Sequence, residues 1–304
     1  MGLHRRTISL TCWRKSSTIR ANFSYRKATT TAFPFGTTES ALDRIHAEIN
    51  IRALQLRELL KAAAFESELE LRRIDVDAFD GAVEEIARAV RSFWRIPRGP
   101  ITNLMGLIER AGIVLIPMDF TEPEIDAVAQ VVPGLPPMIF FNAQAQMDRL
   151  RFTLAHELGH LIMHALPTLD MEKEANRFAA EFLMPAVDIV HQLTRVALPL
   201  LATLKAVWKV SMAALLERAK TLQRVTPRQY IRLRSELSHR GYLRREPAEL
   251  DIPAERPALL QAIVAFHIEQ LGYGARELAK VVHDQPHRVR TTYFGNSGGL
   301  QLVS

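Results

Sequence analysis

His156 and His160 stand four residues apart in the run RFTLAHELGHLIMH, residues 151–164, with Glu157 directly after the first of them. On a helix that spacing puts both imidazoles on one face, a turn apart, where they can hold a single ion. Glu157 can then reach a water bound to the same ion. Two neutral imidazoles, an open coordination position and a base for the water are what zinc-assisted hydrolysis needs, because the metal lowers the pKa of its water to about 7. The competing reading is a core helix whose histidines only hydrogen-bond. It would have to bury two histidines and a glutamate in an apolar segment with no strong partner, which is costly. A structural zinc accounts for less again, since it needs no Glu157 and closes its four positions with protein ligands.

A third protein ligand is expected from the following run, MEKEANRFAAEFLMP, where Phe178, Ala179, Phe182 and Leu183 form a helical stripe that Pro185 ends. Its carboxylates are Glu172, Glu174 and Glu181. Glu172 and Asn176 are four apart, so one face can offer a metal-binding carboxylate together with an amide that orients a ligating histidine. Glu174 lies roughly 200° around the helix from Glu172, which turns it to solvent. Glu181 is nearly in phase with Glu172 and remains a competitor. His164 stands about 12 Å along the helix from His156, too far to share the ion. It is read as a residue behind the ligands or as plain structure.

The pair RFTLAHELGHLIMH and EKEANRFAAEFLMP resembles the ImmA/IrrE family of metallopeptidases, which act on helix-turn-helix repressors of phages, mobile elements and stress regulons. The upstream runs GPITNLMGLIERAGIVLI and PPMIFFNAQAQMDRLRFTLAHE also look like the family's lead-in, so the likeness covers roughly residues 95–190. The resemblance implies a zincin-like peptidase core with zinc held by His156, His160 and Glu172, and with Glu157 as catalytic base. Glu172 takes that role because it stands four residues before Asn176 and thirteen before Pro185, where the family's E-x-x-x-N and L-M-P elements put the ligand. Larger relatives carry an N-terminal helix-turn-helix, for which this chain is expected to have no room.

The elements that must position these residues can be read from pattern. Leu154, Leu158, Leu161 and Ile162 recur at helical spacing and no proline interrupts residues 147–165, which predicts a buried motif helix. Upstream, residues 101–111 read as a helix. Short β-rich runs follow at 113–117, 127–132 and 138–142, separated by turns at Glu122-Pro123 and Pro133-Gly134. The expected fold is therefore α+β and mainly helical, with a small three-stranded sheet packed on the motif helix. Met138 to Asn142 is expected to be an edge strand able to pair with an extended substrate.

The chain divides on paper into a basic tail (1–38), a helical support segment (39–95), the peptidase region (96–195) and a helical C-terminal region (196–304). The tail holds seven Lys/Arg and no acid, so the rest of the chain carries a net −1 against the total of +6. Such a tail matches a connecting segment without order of its own, a transit peptide or a nucleic-acid-binding arm. In the support segment, Leu42, Ile45, Ile49, Leu54 and Leu59 mark one helix, and Val83, Ile86, Ala87, Val90 and Phe93 a second. After Pro185 helices are predicted at 187–193, at 211–222 with Ser211 as N-cap, and at 226–238 with Pro227 at the first position. Two more, broken at Gly272-Tyr273-Gly274, and a third fill 257–293 and only weakly resemble a helix-turn-helix. His267, His283 and His287 lack ligand spacing to any partner. Seven arginines from Arg224 to Arg245 make a solvated basic face or a surface for phosphate or an acidic partner.

With Cys12 as the one cysteine no internal disulfide can form, which suits a reducing cytosol, and no run of 18 apolar residues spans a membrane. The leading expectation is a cytoplasmic zinc endopeptidase whose protein substrate is a helix-turn-helix repressor. The alternative is a non-proteolytic regulatory or toxin-antitoxin-type protein with a structural metal site and a C-terminal region that binds DNA or a partner.

Overall fold

The structure, a computed structural model, describes residues 39–120 and 125–294. The basic tail, Cys12 and the Glu122-Pro123 turn lie outside the described residues. Two helices, α1 (Glu39–Leu59) and α2 (Val83–Phe93), precede α3 (Leu104–Arg110), and the strands β1 (Val114–Met118), β2 (Ala127–Gln130) and β3 (Met138–Asn142) follow. The motif helix α4 (Met147–Met163) and its partner α5 (Met171–Leu183) come next, then α6 (Ala186–Ile189), α7 (Leu198–Trp208), α8 (Met212–Thr221) and α9 (Pro227–His239). The described chain closes with α10 (Leu259–Glu269), α11 (Ala275–Val281) and α12 (Pro286–Val289). The α+β expectation holds: among the described residues, helices predominate and surround one small mixed sheet.

The strand order is β1-β3-β2, with β1 parallel and β2 antiparallel to β3. Met138 to Asn142 is therefore the central strand, and the expectation that it forms an edge is corrected. The edge nearest α4 belongs to β2. Alternate side chains point to opposite faces of a strand, and here both faces are covered. On one face Leu115, Ala129, Ile139 and Phe141 join a core shared with α2 to α5 and α7 to α9. On the other, Val114, Ile116, Val128, Met138 and Phe140 pack beneath α1 and α10 to α12. Burial on both faces explains why the strands read as apolar runs rather than as alternation. The packing also crosses the divisions drawn at residues 95 and 195.

Several local choices fix the helices that flank the site. Asn103 caps α3 by accepting from the Gly106 amide at 2.9 Å. The last carbonyls of α4, at Ile162 and Met163, accept from the amides of Ile74 and Val76, so the buried end of that helix has no bare acceptors there. Near its start, buried Lys205 pairs with both Asp148 and Glu246, and Arg151 donates to Ile101 O and Lys209 O and pairs with Glu255. Gly159 faces Phe178, and a Cβ built on Gly159 would lie 3.0 Å from the Phe178 ring. A glycine there lets α5 approach α4 closely. Arg91 of α2 holds the far side, donating to Phe182 O at the end of α5 and to Pro97 O and Gly99 O.

Ser211 and Thr226 act as the expected N-caps, Thr226 in a reciprocal box with Gln229. In α2, Phe93 is half exposed and Trp94 takes the buried place expected of it, with its ring edge on Phe182 at 6.0 Å. The helix predicted at 187–193 is only the single turn of α6. Sequence pattern missed α7 altogether. Among the described residues no single helix is long and apolar enough to cross a membrane, and α7 and α8 meet at a bend of 103°.

Candidate metal centre

α4 presents His156 and His160 one turn apart, and their Nε2 atoms lie 2.9 Å from each other. Glu172, in the first turn of α5, completes the group: Oε2 is 3.3 Å from His156 Nε2 and Oε1 is 3.4 Å from His160 Nε2. Among the described residues this is the set of potential ligand atoms that converge, all within 4.8 Å of one another. Glu172 Oε1 is buried and has no hydrogen-bond partner. A dication between these atoms would satisfy that orphan oxygen and separate two nitrogens that otherwise face each other, so the donor set fits a zinc-sized ion.

Each histidine is held from behind through its other nitrogen. His156 Nδ1 lies 3.1 Å from Asn176 Oδ1, one turn after Glu172. His160 Nδ1 lies 2.9 Å from His164 Nδ1, and His164 Nε2 lies 3.0 Å from Glu174 Oε2. Glu174 is thus turned inward against His164, and the expectation that it points to solvent is corrected. Its rotation away from Glu172 is as drawn from helical geometry. His164, however, leaves the helix in an extended conformation (φ −109°, ψ 98°), which brings its ring round to that flank.

Glu181 does not join the group. It is buried against Arg218, which also donates to Met184 O, and it accepts from Arg88 at 3.2 Å. A carboxylate held by a buried guanidinium is committed to that pairing. Glu157 lies on the sheet side of α4, 2% exposed as a residue, and its Oε2 accepts from the Ala129 amide at 2.8 Å. The pairing of β2 with β3 shows which way that amide faces. Asn142 N donates to Asp126 O, so the inward-facing residues of β2 alternate from Asp126 through Val128 to Gln130, and Ala127 and Ala129 face outward. The outer edge of β2 therefore lies beside the Glu157 carboxylate.

Charge follows this geometry. Burial lowers the His156 pKa, but the hydrogen bond to Glu172 and the charges of Glu157 and Glu172 outweigh it and the net shift is upward. Burial dominates at His160 and leaves its pKa below the usual value. The imidazoles of His156 and His160, whose Nε2 atoms face its carboxylate, hold Glu172 well below the ordinary carboxylate range, so it is anionic and ready for a cation.

Residues 108–220 match the family model of peptidase M78, the IrrE N-terminal-like domain. This segment carries an IrrE N-terminal-like domain. No match was found among the curated proteins. The IrrE N-terminal-like domain runs from within α3 to within α8 and contains both histidines, Glu157, Glu172 and Asn176. It also contains His164 and Glu174, whose pairing the sequence reading missed. The available signal was spacing, because His164 continues the four-residue ladder of His156 and His160.

The C-terminal residues singled out from sequence lie elsewhere. His267 is a core histidine whose Nε2 lies 2.9 Å from Leu59 O, while His283 and His287 are exposed. In the basic run, Arg234, Arg240 and Arg245 pair with Glu217, Glu236 and Asp251, and Arg224 donates to Leu193 O. Exposed Arg228 and Arg232 line a shallow surface on α9 with Ile231 and His239. α10 to α12 contribute their apolar faces to the core over the sheet.

Proposed function

We propose that the chain is a zinc-dependent endopeptidase of the cytosol, with His156, His160 and Glu172 as metal ligands and Glu157 as general base. The observation that carries this reading is the convergence of two imidazole nitrogens and an anionic carboxylate, with a second, buried carboxylate on the residue directly after His156. A zinc ion there would supply Lewis-acid polarisation of the scissile carbonyl and of the attacking water. Glu157 takes the water's proton and passes it to the leaving amine. The Ala129 amide fixes one oxygen of Glu157 and so restricts the rotation of its carboxylate. Asn176, at His156 Nδ1, would orient the His156 ring so that its Nε2 is offered to the ion. The substrate backbone adds to the outer edge of β2, where the main-chain groups of Ala127 face away from β3. By the resemblance of its two motifs to ImmA/IrrE proteins, the substrate is a helix-turn-helix repressor.

The test compares zinc-loaded wild-type protein with Glu157→Gln, each incubated with helix-turn-helix repressors and with a mixed peptide library, with new termini mapped by mass spectrometry. Cleavage that needs zinc and disappears in Glu157→Gln, with the metal retained, supports the reading. Equal behaviour of the two proteins would favour a binding protein with a structural metal.

A further inference from the structure

We propose that His164 and Glu174 are positioning residues that fix the proton on the back of His160 and thereby hold that ring as a metal ligand. The inference rests on the metal centre described above and adds two residues to it. His160 Nε2 faces His156 and Glu172, so it must offer a lone pair if it is to bind a cation. A neutral imidazole carries one N–H, which then sits on Nδ1. The partner of Nδ1 is another imidazole nitrogen, His164 Nδ1 at 2.9 Å, and only one of two facing ring nitrogens can carry the hydrogen. His164 Nδ1 is therefore the acceptor and the His164 proton sits on Nε2. That nitrogen points at Glu174 Oε2, 3.0 Å away, an oxygen that can only accept. The donor direction is thus set along the whole row, from His160 through His164 to Glu174. No change of protonation state is needed for it to work.

The arrangement differs from the support behind His156. Asn176 is exposed, so water can take its place. The side chains of His160 and His164 are fully buried, and no solvent stands ready to accept from His160 if His164 is lost. The His164 backbone adds rigidity, because its amide donates to His160 O at 3.0 Å and ties the two residues by main chain as well as by ring. Losing an outer partner of a metal ligand commonly weakens metal affinity about 10–100-fold. The loss at His164 should exceed that at Asn176.

The zinc Kd is to be measured by competition with a chromogenic chelator for wild type, His164→Leu, His164→Asn, Glu174→Ala and Asn176→Ala, with urea unfolding of each metal-free protein as control. His164→Leu is expected to bind zinc about 10–100-fold more weakly. His164→Asn should recover much of the affinity, because its Oδ1 can stand where Nδ1 stood and accept from His160. Glu174 is partly exposed, so Glu174→Ala tests the same row without emptying the core, and a weakened zinc Kd with unchanged metal-free stability is expected. Nitrogen-15 spectra of the zinc-loaded wild type should show His164 as the Nε2–H tautomer, a signature that a space-filling role would not set. Zinc affinity within twofold of wild type in both His164→Leu and Glu174→Ala, an Nδ1–H tautomer at His164, or no rescue by Asn would overturn the inference. If the wild type retains no zinc at His156 and His160, the reading under Proposed function falls and this one with it.

Discussion

Replacing Gly159 with alanine is expected to destabilise the protein, although alanine is ordinarily the better helix residue. In an open helix interior the exchange stabilises by about 0.5–1 kcal/mol, because glycine loses more backbone freedom on folding. Here the new Cβ would lie 3.0 Å from Phe178 Cδ1 and 3.3 Å from Phe178 Cβ and Cγ. The ring cannot turn aside, because Phe178 is fully buried and stacks on Phe182 at 5.4 Å. Its Cβ moves only with the backbone of α5. Overpacking of this kind costs roughly 1–3 kcal/mol, so the net expectation is a loss of about 1 kcal/mol. The same displacement carries Glu172 away from His156 and His160. Metal–ligand distances tolerate only about ±0.2 Å, so zinc affinity should fall alongside stability. Urea unfolding of the metal-free protein and chelator competition measure the two effects separately, and adding Phe178→Leu should relieve both. A Gly159→Ala protein that is more stable and binds zinc as tightly as wild type would refute the close-approach argument.

Two further outcomes separate the carboxylates and the pH response. Glu181→Ala should keep its zinc but lose about 3–5 kcal/mol of stability by leaving Arg218 buried and uncompensated, whereas Glu172→Ala should lose zinc with little change in metal-free unfolding; the reverse pattern, read by metal analysis and urea titration, would exchange their roles. Zinc affinity should weaken as pH falls, because ligation needs neutral imidazoles and the raised pKa of His156 brings proton competition in from above the ordinary histidine value of about 6.5. Glu172 is held ionised and contributes nothing to that titration. A zinc Kd that is flat between pH 8 and 5 would contradict this assignment.

The parts legible in sequence are those carried by local periodicity. The α4 stripe, the three strands and the caps at Ser211 and Thr226 each follow from a few neighbouring residues, and the structure has them within a few positions. Strand order is a different kind of fact. β1 pairs in parallel with β3 across the whole of β2, and nothing in three apolar runs states which one lies in the middle. α7 escaped notice because its sequence, LPLLATLKAVW, is apolar around most of its circumference and so shows no stripe. Glu181 could not be excluded by phase, because its partner Arg218 is 37 residues away and reaches it only in the folded chain. Glu174 was misread for a related reason: a helical wheel gives a direction from the axis but not what the neighbouring chain has placed there.

The capping of α10 by a residue of α3 bears on how the chain is made. Glu109 accepts from the Ala258 and Leu259 amides, and Glu255 accepts from Met105 N at the other end of the same short helix. These bonds seat the last helices on the sheet face that displays Val114, Ile116, Val128, Met138 and Phe140. A polypeptide emerging from the ribosome completes β3 well before Ile263 to Val289 exist. At about 5–20 residues per second, that face stays without its C-terminal cover for on the order of ten seconds. Every residue of the metal centre is by then outside the exit tunnel and able to assemble. Nascent chains of this protein should therefore combine an early metal site with an apolar sheet face covered from α1 alone, and draw on chaperones until α10 docks.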